Sequence, residues 1–201
     1  MNNPHFCIYI IDDDKGMRES LTWLVKSADY DAATYESADA FLKNIPDNKL
    51  GCVIADIRMP GMSGLELFQK LSQMDFLLPV IIITGHGDIS MAVKALKDGA
   101  FDFVEKPFDD KIILDSIRMA VQYCEHQQEQ RSIHEMLRAR FETLTAREKE
   151  VMDKIVLGMS NKQIAATLNI SIKTVEVHRS RVMEKMQASS LAALVRMSIK
   201  I

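Results

Sequence analysis

One rhythm in the first half of this chain constrains its fold more than any other feature. Five short apolar runs are each followed by a stretch with helical spacing. Residues 6–11 (FCIYII), 31–35, 52–55 (CVIA), 80–84 (VIIIT) and 101–104 are the predicted strands. The runs at 6–11, 52–55 and 80–84 are apolar throughout, not alternating, as in strands buried on both faces. Between them, residues 15–28 carry Met17, Leu21, Leu24, Val25 and Ala28 on one helical face. Ser37 to Ile45 reads as a helix capped by Ser37 and closed by Pro46. Residues 64–74 form a third helix, and residues 88–98 a fourth, capped by Asp88 and stopped by Gly99. A fifth begins at Asp109. Five β–α units in succession predict an α/β fold, a doubly wound five-stranded parallel sheet with helices on both faces.

Such sheets place function at the carboxyl ends of their strands. The first predicted strand ends in Asp12, Asp13 and Asp14, the third in Asp56 and the fourth in Thr84; the fifth leads into Lys106-Pro107. Carboxylates gathered at one edge repel unless a cation sits among them. Oxygen ligands of this kind suit Mg2+, which takes one or two carboxylates, waters and a phosphoryl oxygen. A lysine and a hydroxyl beside a carboxylate supply the donors an acyl phosphate needs. Aspartate is a known nucleophile towards phosphorus.

The segments IIDDDKGMRESL, IADIRMPGMSGLEL, VIIITGHGDI and AFDFVEKPF together resemble the receiver domain of two-component response regulators, in the right order over residues 6–108. The resemblance implies a flavodoxin-like receiver with Asp56 as phosphoacceptor. Asp12 and Asp13 would be the acidic pair, with Asp13 and Asp56 holding Mg2+ and the Arg58 carbonyl completing the protein ligands. Lys106 would contact the phosphoryl group, through a cis Lys106–Pro107 bond. Thr84 and Phe103 match the switch pair, a hydroxyl that moves to the phosphoryl oxygen and a ring that follows it. Asp14, one residue past the pair, reads as peripheral. A phosphatase-like enzyme is the competing class. It needs a second acid two residues after the nucleophile, where this chain has Arg58.

The formal net charge of −3 conceals a division. Residues 1–125 hold 12 basic and 20 acidic groups, a net of −8, and residues 126–201 hold 13 and 8, a net of +5. An acidic front and a basic back point to two domains with different partners. Residues 121–142 contain no Gly or Pro and many Gln, Glu and Arg, and so extend the fifth helix as a linker. The apolar phase lapses near Gln127–Gln130 and returns at Ile133, Met136, Leu137 and Phe141. Fewer than three heptads are sustained, which favours a solvated spacer over a coiled coil. The division is therefore 1–125, a helical linker over 126–142, and 143–201.

The last part reads as a small all-α domain of four short helices. Thr145 and Glu148 form a capping box, Gly158 stops the first helix, and Ser160 or Asn161 caps the second. Asn169 turns the chain, and Ser171 caps a third helix over residues 172–186. Ser189 starts the last. The third helix carries Lys173, His178, Arg179, Arg181 and Lys185, which makes a helix-turn-helix with a basic recognition helix. LTAREKEVMDKIVLGMSNKQIAATLNISIKTVEVHRSRVMEKM closely resembles the LuxR-type DNA-binding domain. With the receiver it places the chain near the NarL/FixJ class of response regulators, on the FixJ-like branch.

That resemblance implies base-facing positions at Glu176, Val177 and Ser180. It puts Lys162, Lys173, Thr174, His178, Arg181 and Lys185 towards the DNA backbone. Glu176 is open between accepting from a cytosine amino group and facing solvent. The implied protein is a DNA-binding transcription regulator, an activator, phosphorylated on Asp56 by a sensor histidine kinase. Its further implied partners are double-stranded promoter DNA, RNA polymerase and a second copy on phosphorylation. A receiver acting through protein contacts without DNA is the remaining alternative. The apolar runs are all far shorter than the roughly 20 residues of a membrane span. MNNPHF lacks a secretory pattern, and Cys7, Cys52 and Cys124 form neither a disulfide framework nor a zinc pattern, so a reducing cytoplasm is expected.

Overall fold

The computed structural model describes residues 6–45, 50–74, 76, 78–85 and 89–201. Pro46 and Asp88, expected to close one helix and cap another, lie outside the described residues. The chain divides into two compact units, Met1–Gln127 and Gln128–Ile201.

In the first unit β1 (Cys7–Ile11), β2 (Asp31–Tyr35), β3 (Gly51–Asp56), β4 (Val80–Thr84) and β5 (Asp102–Glu105) form one parallel sheet in the order β2-β1-β3-β4-β5. The helices are α1 (Lys15–Ser27), α2 (Ala38–Lys43), α3 (Gly64–Gln73), α4 (Ile89–Lys97) and α5 (Asp110–Glu142). Alternate strand residues serve opposite faces. Ile8, Ile10, Cys52, Ile54, Ile81 and Ile83 pack with Leu21, Leu24 and Val25 of α1 and with Ile113, Ile117 and Val121 of α5. Tyr9, Ile11, Val53, Ala55, Val80 and Ile82 pack with Phe41 of α2 and with Leu67, Phe68 and Leu71 of α3. This two-sided burial is why the central strands lack polar alternation. The order of the chain reverses between β1 and β3, and a crevice opens at their carboxyl ends.

Two glycines are required by close approach. A Cβ on Gly51, which has φ 136°, would lie 1.9 Å from the Cys7 carbonyl oxygen. A Cβ on Gly64 would lie 2.2 Å from the Asp56 carbonyl oxygen, so α3 begins directly against the backbone of that aspartate.

The phase lapse near Gln127–Gln130 does not interrupt α5, which continues to Glu142. Nothing there breaks a helix, because the residues are polar but good helix formers. Ile113, Ile117, Ala120 and Val121 are buried in the first unit, while Leu137 is buried and Phe141 packs in the second.

In the second unit α6 (Ala146–Val156), α7 (Asn161–Leu168), α8 (Ile172–Lys185) and α9 (Leu191–Ser198) surround Val151, Met152, Ile155, Ile164, Val175, Val182, Met186 and Leu194. Thr145 with Glu148 and Ser160 with Gln163 form capping boxes. Asn169 takes the left-handed conformation at φ 53°, and Ser171 caps α8. The last helix is capped by Ser190, one residue after the expected Ser189, because Ser190 reaches the Ala193 amide.

Candidate functional site

At the β1 and β3 ends, Asp12 and Asp56 are buried, at 2% and 8% exposure, and Asp13 is exposed. One oxygen of each of the three lies within 4.8 Å of the others, a spacing that one small cation bridges. Lys106, arriving from the end of β5, donates from Nζ to Asp12 Oδ2 at 2.9 Å and to Asp56 Oδ1 at 3.0 Å. It precedes a cis bond to Pro107. The other oxygen of Asp12, Oδ1, accepts from the Asp14 amide at 2.8 Å. Each Asp12 oxygen thus already takes a hydrogen bond.

Burial pushes the Asp56 carboxyl above the usual carboxylate range; Asp12 and Asp13 push the same way, and Lys106 opposes them. Burial alone would lower the Lys106 ammonium, but its hydrogen bonds to Asp12 and Asp56 raise it overall. A crowded carboxylate held beside a fixed cation suits a nucleophile whose product carries more negative charge.

Thr84 ends β4 fully buried, and its hydroxyl donates to the Gly85 carbonyl at 3.2 Å. Phe103, on the neighbouring strand, is half-buried and packs against the core shared by β3 and α3. Arg58 is exposed just past β3. The crevice therefore brings together Asp12, Asp13, Asp56 and Lys106.

Two contacts beside this site escaped the sequence reading, which took Asp14 as peripheral and did not single out Arg18. Asp14 caps α1, accepting from the Gly16 amide at 2.7 Å and the Met17 amide at 3.3 Å. Aspartate immediately before a helix is a legible signal. Arg18 donates from Nη1 to the Asp12 carbonyl at 2.7 Å and the Asp13 carbonyl at 2.9 Å. No spacing rule foretold that contact.

In the second unit α7, a three-residue turn and α8 form the helix-turn-helix. Val175 and Val182 of α8 face the core. Lys173, Glu176, Val177, Ser180 and Arg181 are exposed along one stripe of α8, and Lys162 is exposed on α7. Thr174 is half-buried in the cap, with its hydroxyl 2.8 Å from that of Ser171. His178 is half-buried, and its Nδ1 is buried with no partner among the described residues. Arg179 donates to Asn161 Oδ1 at 3.3 Å. Lys185 stands apart from the stripe. Its Nζ donates to Glu148 Oε2 at 2.6 Å and to the Thr143 carbonyl at 3.1 Å.

A carboxylate crevice on a doubly wound sheet, followed in the same chain by a basic helix-turn-helix, defines a signalling protein that couples a phosphorylation module to DNA. Residues 8–118 match the response regulator receiver domain, and residues 142–198 match the bacterial regulatory proteins of the luxR family. The transcriptional regulatory protein FixJ of Bradyrhizobium diazoefficiens is 42% identical over 193 residues, covering 96% of this chain and 94% of that protein. The response regulator protein TmoT of Ectopseudomonas mendocina is 43% identical over 198 residues, covering 98% and 90%. Among solved structures, response regulator StyR superposes with a TM-score of 0.88 at 38% identity, over 98% of this chain and 100% of that one. Full-length FixJ from B. japonicum gives 0.62 at 41% identity, over 98% of both chains. The chain belongs to the two-component response regulators that carry a luxR-family DNA-binding domain. These are phosphorylation-dependent transcription regulators, not enzymes acting on a separate substrate.

Proposed function

We propose that Asp56 is the phosphoacceptor of this regulator and that the stripe on α8 is its DNA-reading face. The observation that carries the first statement is Lys106, which bridges Asp12 and Asp56 at 2.9 and 3.0 Å from the far strand of the site. A carboxylate oxygen of Asp56 attacks the phosphorus of a phosphohistidine on a sensor kinase. The P–O bond forms, the P–N bond breaks, and the leaving imidazole nitrogen takes up a proton. Lys106 then donates to a phosphoryl oxygen. Thr84 turns its hydroxyl from the Gly85 carbonyl towards another, and Phe103 follows into the space vacated.

The three carboxylates fit Mg2+, since an oxygen of each lies within 4.8 Å of the others. Asp13 and Asp56 with the Arg58 carbonyl would hold it. Asp12 has both oxygens already hydrogen-bonded. When bound, the ion neutralises charge on the phosphoryl oxygens.

On α8, Glu176, Val177 and Ser180 face base edges. Lys162, Lys173 and Arg181 reach phosphates, with Thr174 and the Nε2 edge of His178 beside them. Lys185 falls outside this set, because Glu148 and the Thr143 carbonyl already hold it. The regulator works in the cytoplasm as an activator. Its phosphorylated form pairs with a second copy on promoter DNA and contacts RNA polymerase.

The test is phosphorylation of Asp56→Asn by a phosphorylated kinase or by acetyl phosphate with Mg2+. Alkali-labile phosphate should be lost along with the phosphorylation-dependent change in DNA affinity. Full labelling of the variant would move the phosphoacceptor elsewhere.

A further inference from the structure

A guanidinium lies beside three clustered carboxylates, yet it bonds to main chain. Arg18 Nη1 donates to the Asp12 carbonyl at 2.7 Å and to the Asp13 carbonyl at 2.9 Å. One nitrogen therefore ties together the two peptide groups that carry the acidic pair. The next residue completes the brace. The Asp14 amide fixes Asp12 Oδ1 at 2.8 Å, and the Asp14 carboxylate accepts from the amides of Gly16 and Met17. The main-chain amide of Arg18 bonds to the Asp14 carbonyl at 3.1 Å, so its side chain springs from the first turn of the helix that Asp14 caps. Asp13 is the exposed member of the pair, and no hydrogen bond among the described residues holds its carboxylate. What fixes its direction is the backbone beneath it.

We propose that Arg18 is a positioning residue for the divalent-cation site. It orients Asp13, and through the shared loop Asp12, towards Asp56. The inference rests on the reading of those carboxylates as the Mg2+ site. Groups that orient metal ligands from behind are commonly worth about 10- to 100-fold in affinity.

Charge and geometry predict opposite signs here. Removing a positive charge near an anionic site strengthens cation binding by Coulomb's law alone. Removing the brace weakens it. Calorimetric Mg2+ titration of the full chain separates the two. Arg18→Ala should weaken Mg2+ binding about 10- to 100-fold. Arg18→Lys keeps one charged donor and should fall between that variant and the wild type. Lys26→Ala, an exposed charge on the same helix, should leave the affinity unchanged or slightly raised. Thermal melting without Mg2+ shows whether each variant is folded, and Arg18→Lys carries the test if Arg18→Ala is not.

Asp13→Asn keeps the two outcomes distinguishable. If it binds Mg2+ as the wild type does, the carboxylates are not the cation site. If it loses binding while a folded Arg18 variant binds equally or more tightly, the positioning role is overturned and the site stands.

Discussion

Glu148 shows how one side chain can be read for two roles at once. It closes the Thr145 capping box and is 2% exposed, with Lys185 donating to its Oε2 at 2.6 Å. The Lys185 ammonium and the Thr145 amide hold its carboxyl at about 2, from an ordinary 4.5. A folded-state pKa below the unfolded one stabilises at pH above about 4.5, and that stability drains away as pH falls towards 2. Glu148→Gln should therefore cost about 2 kcal/mol at neutral pH, because it leaves a half-buried ammonium without its carboxylate. It should also flatten the acid dependence of amide protection in α6 and α8, read by hydrogen exchange. An unaltered acid dependence would show that another group carries it. The same pair separates Lys185 from the exposed cations. Arg181→Ala should weaken binding across DNA sequences and lower the salt slope by about one. Lys185→Ala should destabilise the fold and leave the slope alone. Sequence placed both on the recognition helix, and only the partner from α6 tells them apart.

At the scale of elements, α3 and the end of β3 act as one piece. The approach of Gly64 to the Asp56 carbonyl leaves no room for a methyl group, since its Cβ would stand 2.2 Å away. Gly64→Ala should cost about 1–3 kcal/mol as backbone is forced aside. It should also slow phosphorylation of Asp56 by acetyl phosphate, because the displaced atoms belong to the residue proposed as phosphoacceptor. Thermal melting and the labelling rate read the two effects, and an unchanged rate would uncouple α3 from the site. Most of this architecture was legible. Apolar strands without alternation, serine and threonine caps and the stop at Gly158 each have a local cause that the sequence carries. The site's carboxylates and Lys106 were legible because the fold gathers strand ends. Less was legible where the cause is not local. The Arg18 contact depends on how carbonyls turn after β1, and Lys185 depends on an acid 37 residues away in another helix. The apolar phase near Gln127 marks where burial changes, not where the helix stops, because helical propensity persists through it.

For the molecule as a whole, the net charges of −8 and +5 fall on either side of the division between the compact units, since residues 126 and 127 carry no formal charge. Phosphorylation adds about −1.5 to −2 to the acidic side. By charge alone it would weaken attraction to DNA. Any strengthening on phosphorylation must therefore come from conformation or assembly. The long helix α5 adds one more consequence. Between Cys124 and Ile133 every residue from Glu125 to Ser132 is exposed, so this stretch of helix leans on no core. Eight exposed residues are too few to hold a helix by propensity alone. This is the seam at which the chain should open first and most often. Brief trypsin treatment should cut at Arg131 before any site in either core and release two protease-resistant pieces, resolved by mass spectrometry. Earlier cleavage within α8 or α1 would place the weak point elsewhere.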